Sequence, residues 1–407
     1  MIPDDYLDAE FQKTKFNHSR LHRQQSANMG CKTFPGGKAL HRSGRLNQLL
    51  FVLITSFLVC VQCAADSPPK NVILLAGDGM GIGHITAARI AGPGRDGRLA
   101  IDSMPVTGVV LTHSANALVT DSAAAGTALA TGHKTNNGTI SQTPEGKPLV
   151  SLLKLAQTLG KSGGIISTKF ITDATPAVFV SNAAKRNQRE TIAKQTIESG
   201  AQVILGGGRE DFLPKKDGGA RSDEVNLLDE AKRLGYQVVQ SREEMASANG
   251  GRILGLFAES SMTGGDSEPT LAEMTAKAIS VLARNPKGFF LMSEGAKIDS
   301  EAHANNAEGV VREVLDFDKA VQTALEFAKK DKQTLVVVTA DHDTGGLSVL
   351  EPSNDNQPFK AGWTTGGHTG NMVLVYAYGP GAVRFTGTHD NTEIPNIIAN
   401  LWGKKLN

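Results

Sequence analysis

Asp299 and His303 are the first pair of residues whose types and spacing could do chemistry. They stand four residues apart in the segment Ile-Asp-Ser-Glu-Ala-His. On a helix or helical turn, this spacing places both side chains on one face. A carboxylate and an imidazole on one face can hold a zinc ion. A solvated helix face gives the same pattern, so the spacing alone leaves both interpretations open.

Asp341 and His342 are adjacent, and they raise a different geometric question. Neighbouring residues on a regular strand point to opposite faces, so both can bind one metal only where a strand breaks into a loop. Gly345 and Gly346 follow shortly afterwards and make such a break plausible. A strand-terminal aspartate that caps the next turn is an equally good interpretation of the local sequence.

Ser122 is followed by small residues of high helix tolerance, in the segment VTDSAAAGTA at 119–128. This pattern predicts that Ser122 opens a helix. A serine at a helix start is most often only an N-cap residue. A helix N-terminus also offers free N–H groups and a positive dipole end, which suit a phosphate group. The local sequence favours the cap, and only residues elsewhere could make Ser122 a nucleophile.

From Asn71 onward, short apolar runs alternate with periodic helical patterns, which indicates parallel βαβ units. We therefore predict an α/β fold with a central, mostly parallel sheet and helices on both faces. The predicted strands are 72–76, 164–166, 203–205, 289–292, 335–339 and 372–376. The predicted helices are 149–159, 191–198, 271–282, 310–328 and 394–401. Residues 208–266 are richer in charge, Gly and Ser, and we predict a peripheral excursion there.

Acidic or histidine residues follow three of the predicted strands. Asp78 follows the first strand, Glu294 follows 289–292, and Asp341 and His342 follow 335–339. In parallel sheets, ligands bind beyond the carboxyl ends of the strands, so these side chains should lie close together. The sequence therefore predicts a metal site at this edge.

Composition narrows the chemistry further. All three cysteines lie in residues 1–65, which we interpret as a leader. Residues 66–407 form the single predicted catalytic domain, and this domain has neither a cysteine nucleophile nor thiolate metal ligands. Residues 1–65 hold eight Lys or Arg and four Asp or Glu, although the net charge of the whole chain is only +1. The domain is therefore mildly acidic, and we expect no nucleic-acid-binding role.

The leader has the features of a secretory signal. Arg42 and Arg45 precede an apolar run at 49–61, and small residues at 63–65 precede polar Asp66. A permanent membrane span needs roughly 20 apolar residues, so we expect a cleaved signal peptide and no permanent span. We therefore predict export to the periplasm or secretion. Met29 is a possible alternative start.

Read together, six segments in order between residues 71 and 403 resemble the alkaline phosphatase family. They are NVILLAGDGMG at 71–81, VTDSAAAGTALATGHKTNNG at 119–138, DATPA at 173–177 with Arg186 following, EGAKIDSEAH at 294–303, TADHDTGG at 339–346 and GHTG at 367–370. The resemblance implies the alkaline-phosphatase-like fold. It also implies hydrolysis of small-molecule phosphate monoesters through a phosphoserine, with two zinc ions and one magnesium ion.

The resemblance also implies a role for each matched residue. Ser122 corresponds to the phosphorylated serine, Arg186 to the guanidinium that grips the substrate phosphate, and Asp121 to its orienting partner. The implied ligands are Asp299, His303 and His368 for one zinc, Asp341, His342 and Asp78 for the second, and Asp78, Thr175 and Glu294 for magnesium, with Asp173 acting through bound water.

Two departures from the family pattern bear on function. In the best-known bacterial form, an aspartate at the position of Asp173 goes with a lysine that directly follows the zinc-binding aspartate, but here that residue is Ser300. We therefore expect weaker inhibition by product phosphate than in a relative with that lysine. The segment between Asp341 and His368 is also short, which suggests an open site. Because family members are commonly homodimers, we expect a homodimer.

Three other functions fit less well. A sulfatase of the same superfamily needs a Cys or Ser in a C/S-x-P-x-R setting, whereas Ser122 is followed by three alanines. Phosphodiesterases of the superfamily typically use threonine and lack the Arg186 arrangement. A non-catalytic phosphate- or metal-binding protein would be expected to have lost a ligand or the nucleophile, and none is lost here.

Overall fold

A computed structural model describes residues 68–352 and 358–406, and the predicted leader lies outside these described residues. The strands are β1 Asn71–Gly77, β2 Val106–Leu111, β3 Ser162–Phe170, β4 Val203–Gly207, β5 Gln237–Val239, β6 Ile253–Leu256, β7 Phe289–Gly295, β8 Thr334–Thr339, β9 Asp343–Thr344, β10 Ser348–Leu350, β11 Lys360–Gly362, β12 His368–Thr369, β13 Val373–Tyr378 and β14 Gly387–Asp390. The α-helices are α1 Ile82–Ala91, α2 Ser122–Thr131, α3 Leu152–Thr158, α4 Ala174–Val180, α5 Arg189–Glu198, α6 Leu227–Arg233, α7 Arg242–Ser247, α8 Leu271–Leu282, α9 Lys297–His303, α10 Ala307–Asp331 and α11 Glu393–Leu401.

Ten of these strands form one sheet, in the order β14-β2-β13-β8-β1-β7-β3-β4-β6-β5. β13 is antiparallel to both of its neighbours, and every other neighbouring pair is parallel. The central strands β1, β7 and β8 are buried at every residue, as expected for a sheet covered on both faces. The predicted α/β fold with a mostly parallel sheet is confirmed.

Two sets of helices cover the sheet. Helix α10 packs against α1, α8 and α9, while α2, α3, α4 and α11 pack against one another. The apolar period of α10 explains its position: Val310, Val314, Phe317 and Val321 recur three or four residues apart and are buried. Asn306 caps this helix by accepting a hydrogen bond from the Gly309 N–H at 3.2 Å. The helix therefore begins three residues before the predicted 310–328.

Two predictions about local structure need correction. The helix predicted at 149–159 begins only at Leu152, because the Leu149 N–H donates to the Ser141 carbonyl (2.8 Å) and Ser151 caps the helix. Residues 208–266 are not merely a peripheral excursion, since β5 and β6 extend the main sheet at one edge. These strands have three and four residues, which is too short for a clear periodic pattern.

Gly79 shapes the turn after β1, which leads towards the candidate site. Its φ of +68° lies in the left-handed region, and a Cβ there would approach the Thr344 Oγ1 to 2.7 Å. The Gly79 N–H donates to the Asp341 Oδ1 at 3.1 Å. The missing side chain therefore lets the loops that follow β1 and β8 come together.

In residues 68–352 and 358–406, no helix has both the length and the apolar character that a membrane crossing requires.

Candidate active site

The predicted site residues converge at one edge of the sheet. Asp78 follows β1, Glu294 lies near the end of β7, and Asp341 and His342 lie in the loop between β8 and β9. Helix α9, which follows β7, carries Asp299 and His303. Ser122 is the first residue of α2. Asp173 and Thr175 lie at the start of α4, which follows β3, and Arg186 lies in the loop after α4. His368 lies in the short strand β12. The expected clustering at the carboxyl ends of the strands is therefore observed.

Asp299, His303 and His368 form the first group of potential metal ligands. The Nε2 atoms of the two histidines are 3.2 Å apart, and the Asp299 Oδ1 lies 3.3 Å from that of His303 and 3.6 Å from that of His368. The Nδ1 atoms lie 2.8 Å from the carbonyl oxygens of Gly366 and Thr120, so each Nδ1 carries the proton that it donates. Two Nε2 lone pairs and a carboxylate oxygen thus face one point, as zinc requires.

The second group is centred on His342, which is fully buried. Its Nε2 lies 3.3 Å from the Asp78 Oδ1, 3.3 Å from the Asp341 Oδ2 and 3.2 Å from the Ser122 Oγ. The other Asp341 oxygen accepts hydrogen bonds from the backbone N–H groups of Gly79 and His342. One Asp341 oxygen therefore stabilises the turn, as the capping interpretation expects, while the other faces the cluster.

Thr344 is a site residue that the sequence analysis missed. Its hydroxyl donates to the Asp299 Oδ1 at 2.7 Å and lies 3.1 Å from the His342 Nδ1. Since the hydroxyl proton is donated to Asp299, the hydroxyl oxygen accepts a hydrogen bond from the His342 Nδ1–H, which leaves the Nε2 lone pair free for a metal. β9 pairs with β12 and sets Thr344 opposite His368, so this short ribbon connects the two groups.

Asp78, Thr175 and Glu294, the residues that the resemblance assigns to magnesium, offer only oxygen ligands. Asp78 and Glu294 are brought together by the pairing of β1 with β7, and the Glu294 Oε2 accepts a hydrogen bond from Ser167 at 2.6 Å. The Glu294 Oε1 and Thr175 Oγ1 are buried and have no hydrogen-bond partner. A set of hard oxygen ligands of this kind suits magnesium.

Burial and mutual repulsion shift the protonation of these groups in the metal-free chain. Burial raises the pKa of Glu294 to about 8 and that of Asp341 to about 6, and it lowers the pKa of His342 to about 4. Burial also raises the pKa of Asp78, and Asp341 and Asp299 raise it further. A bound cation reverses the shifts of the carboxylates, because it favours their charged form.

Unpartnered oxygens test whether this residue set fits metal ions. The Asp78 Oδ1 and Asp341 Oδ2 are buried without a hydrogen-bond partner, like the Glu294 and Thr175 oxygens. Buried polar atoms are normally paired, so a group of such oxygens beside histidine nitrogens calls for cations as partners. The residues present therefore fit two nitrogen- and oxygen-bound ions and one oxygen-bound ion.

Ser122 is not the helix cap that its own neighbourhood suggested. Asp121 is the N-cap residue of α2, and its Oδ1 accepts a hydrogen bond from the Ala124 N–H at 3.0 Å. Ser122 is instead the first residue of the helix, and its hydroxyl points at His342. The capping role therefore falls to Asp121 and leaves the Ser122 oxygen available for chemistry.

Arg186 lies beside this helix start, where it contacts two carboxylates. Its guanidinium lies 3.4 Å from the Asp121 Oδ2 and 3.0 Å from the Asp173 Oδ1. About a third of the side chain is exposed, so the group remains accessible to a ligand. A planar guanidinium held from two sides is suited to grip a phosphate with its remaining donors.

Lys169 was also missed, although it is the one lysine near the carboxyl end of the buried strand β3. Its ammonium lies 3.6 Å from the Asp299 Oδ2 and 4.0 Å from the Asp173 Oδ2. Burial opposes its charge, but the surrounding carboxylates, with Asp78 and Asp173 foremost, raise its pKa overall. A charged residue ending an apolar strand was the signal that could have identified it.

A serine at a helix start, beside buried carboxylates and histidines that fit metal ions, defines a metal-dependent hydrolase. The alkaline phosphatase family model matches residues 69–357 and 348–403. Alkaline phosphatase 4 of Bacillus subtilis is 35% identical over 82% of this chain and 88% of its own length, and the Escherichia coli K12 enzyme is 35% identical over 84% and 88%. The solved alkaline phosphatase of the Antarctic bacterium TAB5 is 34% identical, with a TM-score of 0.76 over 82% of this chain and 98% of that one.

The chain belongs to the alkaline phosphatase family. It is a phosphomonoesterase that depends on metal ions, with two zinc ions and one magnesium ion as its cofactors. The predicted family, fold, activity and cofactors are thereby confirmed.

Replacing Thr344 by valine should weaken zinc binding, because it removes the group that fixes the His342 proton and orients Asp299. The loss of such an outer partner costs about 10- to 100-fold in metal affinity. A zinc titration against a competing chelator measures this. Thr344→Ser keeps the hydroxyl and should stay within about threefold of wild type. Equal zinc affinity of the valine variant and wild type would show that Thr344 has no such role.

Proposed function

We propose that Ser122 is the nucleophile of phosphate monoester hydrolysis and is phosphorylated in each turnover. One observation carries this assignment: the Ser122 Oγ lies 3.2 Å from the His342 Nε2, in the group whose Asp78 and Asp341 oxygens lack partners. A serine hydroxyl is a weak nucleophile unless a neighbouring base or metal activates it. The position of Ser122 at the edge of a metal-binding group supplies that condition.

The same geometry supports the ligand assignments. We assign Asp299, His303 and His368 to one zinc. Asp78, Asp341 and His342 are assigned to the second, on the 3.3 Å distances from the His342 Nε2 to both carboxylates. Asp78, Thr175 and Glu294 are assigned to magnesium, with Asp173 acting through bound water. A solved variant of the TAB5 enzyme, with one histidine replaced by aspartate, has magnesium in its M3 site. Magnesium in that related enzyme supports the choice of magnesium as the third ion here.

In the proposed reaction, metal ions supply activation of the serine hydroxyl and stabilise charge on the attacking and leaving oxygens. The Ser122 Oγ loses its proton and bonds to phosphorus as the bond to the alcohol oxygen breaks, and the alcohol oxygen gains a proton from solvent. Water then attacks the phosphoserine, the bond from Ser122 to phosphorus breaks, a proton from the water returns to the Ser122 oxygen, and hydrogen phosphate leaves. Arg186 binds two non-bridging oxygens through its planar fork throughout. Asp121 both orients Arg186 and caps the helix that carries Ser122, so nucleophile and phosphate grip share one support.

Ser122→Ala should lower kcat for p-nitrophenyl phosphate by about 1000-fold or more, because no other group can accept the phosphoryl group. The zinc and magnesium contents of the purified variant should remain those of wild type. The assay compares the monoester with bis(p-nitrophenyl) phosphate, before and after chelation. We expect preference for the monoester and loss of activity on chelation.

Ser181→Ala is the matched control, since Ser181 and Ser122 are each 4% exposed and Ser181 only donates to the Ala177 carbonyl. It should keep kcat within about threefold of wild type. Monoesterase activity retained by Ser122→Ala would refute the proposed nucleophile. Preference for the bis ester would indicate a phosphodiesterase instead.

We further propose that the enzyme is exported, to the periplasm or by secretion, after removal of the leader. The support is the basic residues, apolar run and small residues that end at Ala65. N-terminal sequencing of the exported enzyme should begin at Asp66. Leu53→Arg, which places a charge in the apolar run, should keep the uncleaved chain inside the cell. A membrane-bound chain that retains the run would show an anchor instead.

A homodimer is our proposal for the assembly, on the basis of the family resemblance alone. Light scattering of the purified, metal-loaded enzyme should give about twice the mass of one mature chain. A monomer mass at the concentrations used for the activity assay would contradict it.

A further inference from the structure

Lys169 occupies a position in the site that none of the assigned roles explains. It is the second-last residue of β3, and its side chain is only 15% exposed. Its ammonium stands between Asp173, which contacts Arg186, and Asp299, which belongs to the first group of metal ligands. Burying an ammonium costs free energy, so its position here needs a reason beyond packing.

Asp173 and Asp299 each present one carboxylate oxygen to Lys169 and the other oxygen to different partners. The Asp173 Oδ1 contacts Arg186 and the Ala174 N–H, while its Oδ2 faces Lys169. The Asp299 Oδ1 receives Thr344 and faces the histidines, while its Oδ2 faces Lys169. Lys169 therefore faces the carboxylate oxygens of Asp173 and Asp299 that Arg186, Ala174, Thr344 and the histidines do not contact.

Arg186 and Lys169 form a pair of cations that share Asp173. Each lies against a different oxygen of that carboxylate. Because Lys169 offsets the charge of Asp173, Arg186 is less strongly bound to this carboxylate and is freer to bind phosphate. The ammonium also adds positive potential at the place where a phosphate held by Arg186 would sit. Opposite charges attract each other more strongly in a partly buried site than in bulk water, because the effective dielectric constant is lower there.

We propose that Lys169 is the second cation of the phosphate site, and that it supplies from β3 the charge that relatives with a lysine at the position of Ser300 supply from the zinc-ligand helix. This proposal rests on the proposed function of the same site. It makes Lys169 a positioning residue that acts through Asp173 and through its charge. It also revises the expected weak inhibition by phosphate, which assumed that Ser300 leaves the site without a second cation.

The test measures binding of inorganic phosphate to the zinc- and magnesium-loaded enzyme by titration calorimetry, together with the inhibition constant, kcat and KM. Lys169→Met keeps the length of the side chain and removes its charge, and it should raise the Kd of phosphate about tenfold or more. KM should rise more than kcat falls, because phosphate binding is what the charge assists. Lys169→Arg, which keeps the charge, should stay within about threefold of wild type.

The most discriminating variant moves the positive charge from residue 169 to residue 300. Ser300 is exposed on α9, directly after Asp299, so a lysine there can be accommodated. The double variant Lys169→Met with Ser300→Lys should recover phosphate binding to within about threefold of wild type, whereas Ser300→Lys alone should change it by less than about threefold. Lys134→Met is the matched control, because Lys134 is similarly buried (20% exposed) and paired with Asp390 outside the site. It should leave phosphate binding unchanged.

Three results would overturn the proposal. The first is an unchanged phosphate Kd in Lys169→Met with its metal content intact, which would leave Lys169 a structural counterion. The second is a loss of phosphate binding that only follows a loss of zinc or magnesium in elemental analysis. The third is a large gain in phosphate affinity from Ser300→Lys alone. If Lys169→Met fails to fold, Lys169→Gln replaces it with the same expectations.

The same titration in the Ser122→Ala background separates this proposal from the proposed function. Phosphate binding there requires no serine chemistry, so the effect of Lys169→Met should persist. Retained activity of Ser122→Ala would refute the nucleophile and leave the phosphate result standing, whereas an unchanged phosphate Kd would refute Lys169 and leave the nucleophile standing.

Discussion

Repulsion among buried carboxylates at the carboxyl edge of the sheet is the constraint on which the site depends. Asp78, Glu294, Asp299 and Asp341 are at most 6% exposed, and Asp173 is 8% exposed. In the described part of the chain, Arg186 and Lys169 are the two arginine or lysine side chains that form ion pairs with members of this cluster. Two cations cannot offset so many carboxylates in a low-dielectric setting, so metal ions are needed to complete the balance.

This balance ties metal binding to the stability of the site. Without metal ions, burial raises the pKa of Glu294 to about 8 and that of Asp341 to about 6, so protons partly replace the cations. Each carboxyl must lose its proton before it can bind a metal, and part of the binding free energy goes to that step. The surrounding hydrogen bonds, such as Ser167 to Glu294 and Thr344 to Asp299, fix the ligands before the metals arrive. The fold therefore holds a site that is geometrically prepared and electrostatically incomplete.

The sequence predicted well those elements whose pattern lies within their own residues, and it predicted poorly the contacts between distant segments. Strands such as β1 and β8 and the long helix α10 carry their own periodic patterns, so their positions were predicted closely. The pair Asp299 and His303 gave a metal hypothesis with a solvated helix face as its alternative, because one helix face cannot show what lies opposite it. His368 joins that pair through the β9–β12 ribbon, where it stands opposite Thr344, which lies 24 residues earlier in the chain. Only the family resemblance pointed to it in advance.

Residues that act through another group were the ones that sequence reasoning missed or misplaced. The cap was placed on Ser122 because a serine and an aspartate are both good caps, and only the hydrogen bond to Ala124 decides between them. Lys169 was missed for a related reason, since comparison by sequence position asks which residue follows Asp299 and finds Ser300. The electrostatic requirement applies to a point in space beside Asp173, and a lysine can reach that point from β3 as well as from α9. A departure from a family motif therefore has to be judged by the charge at the site, because a side chain from another element can restore what the motif position has lost.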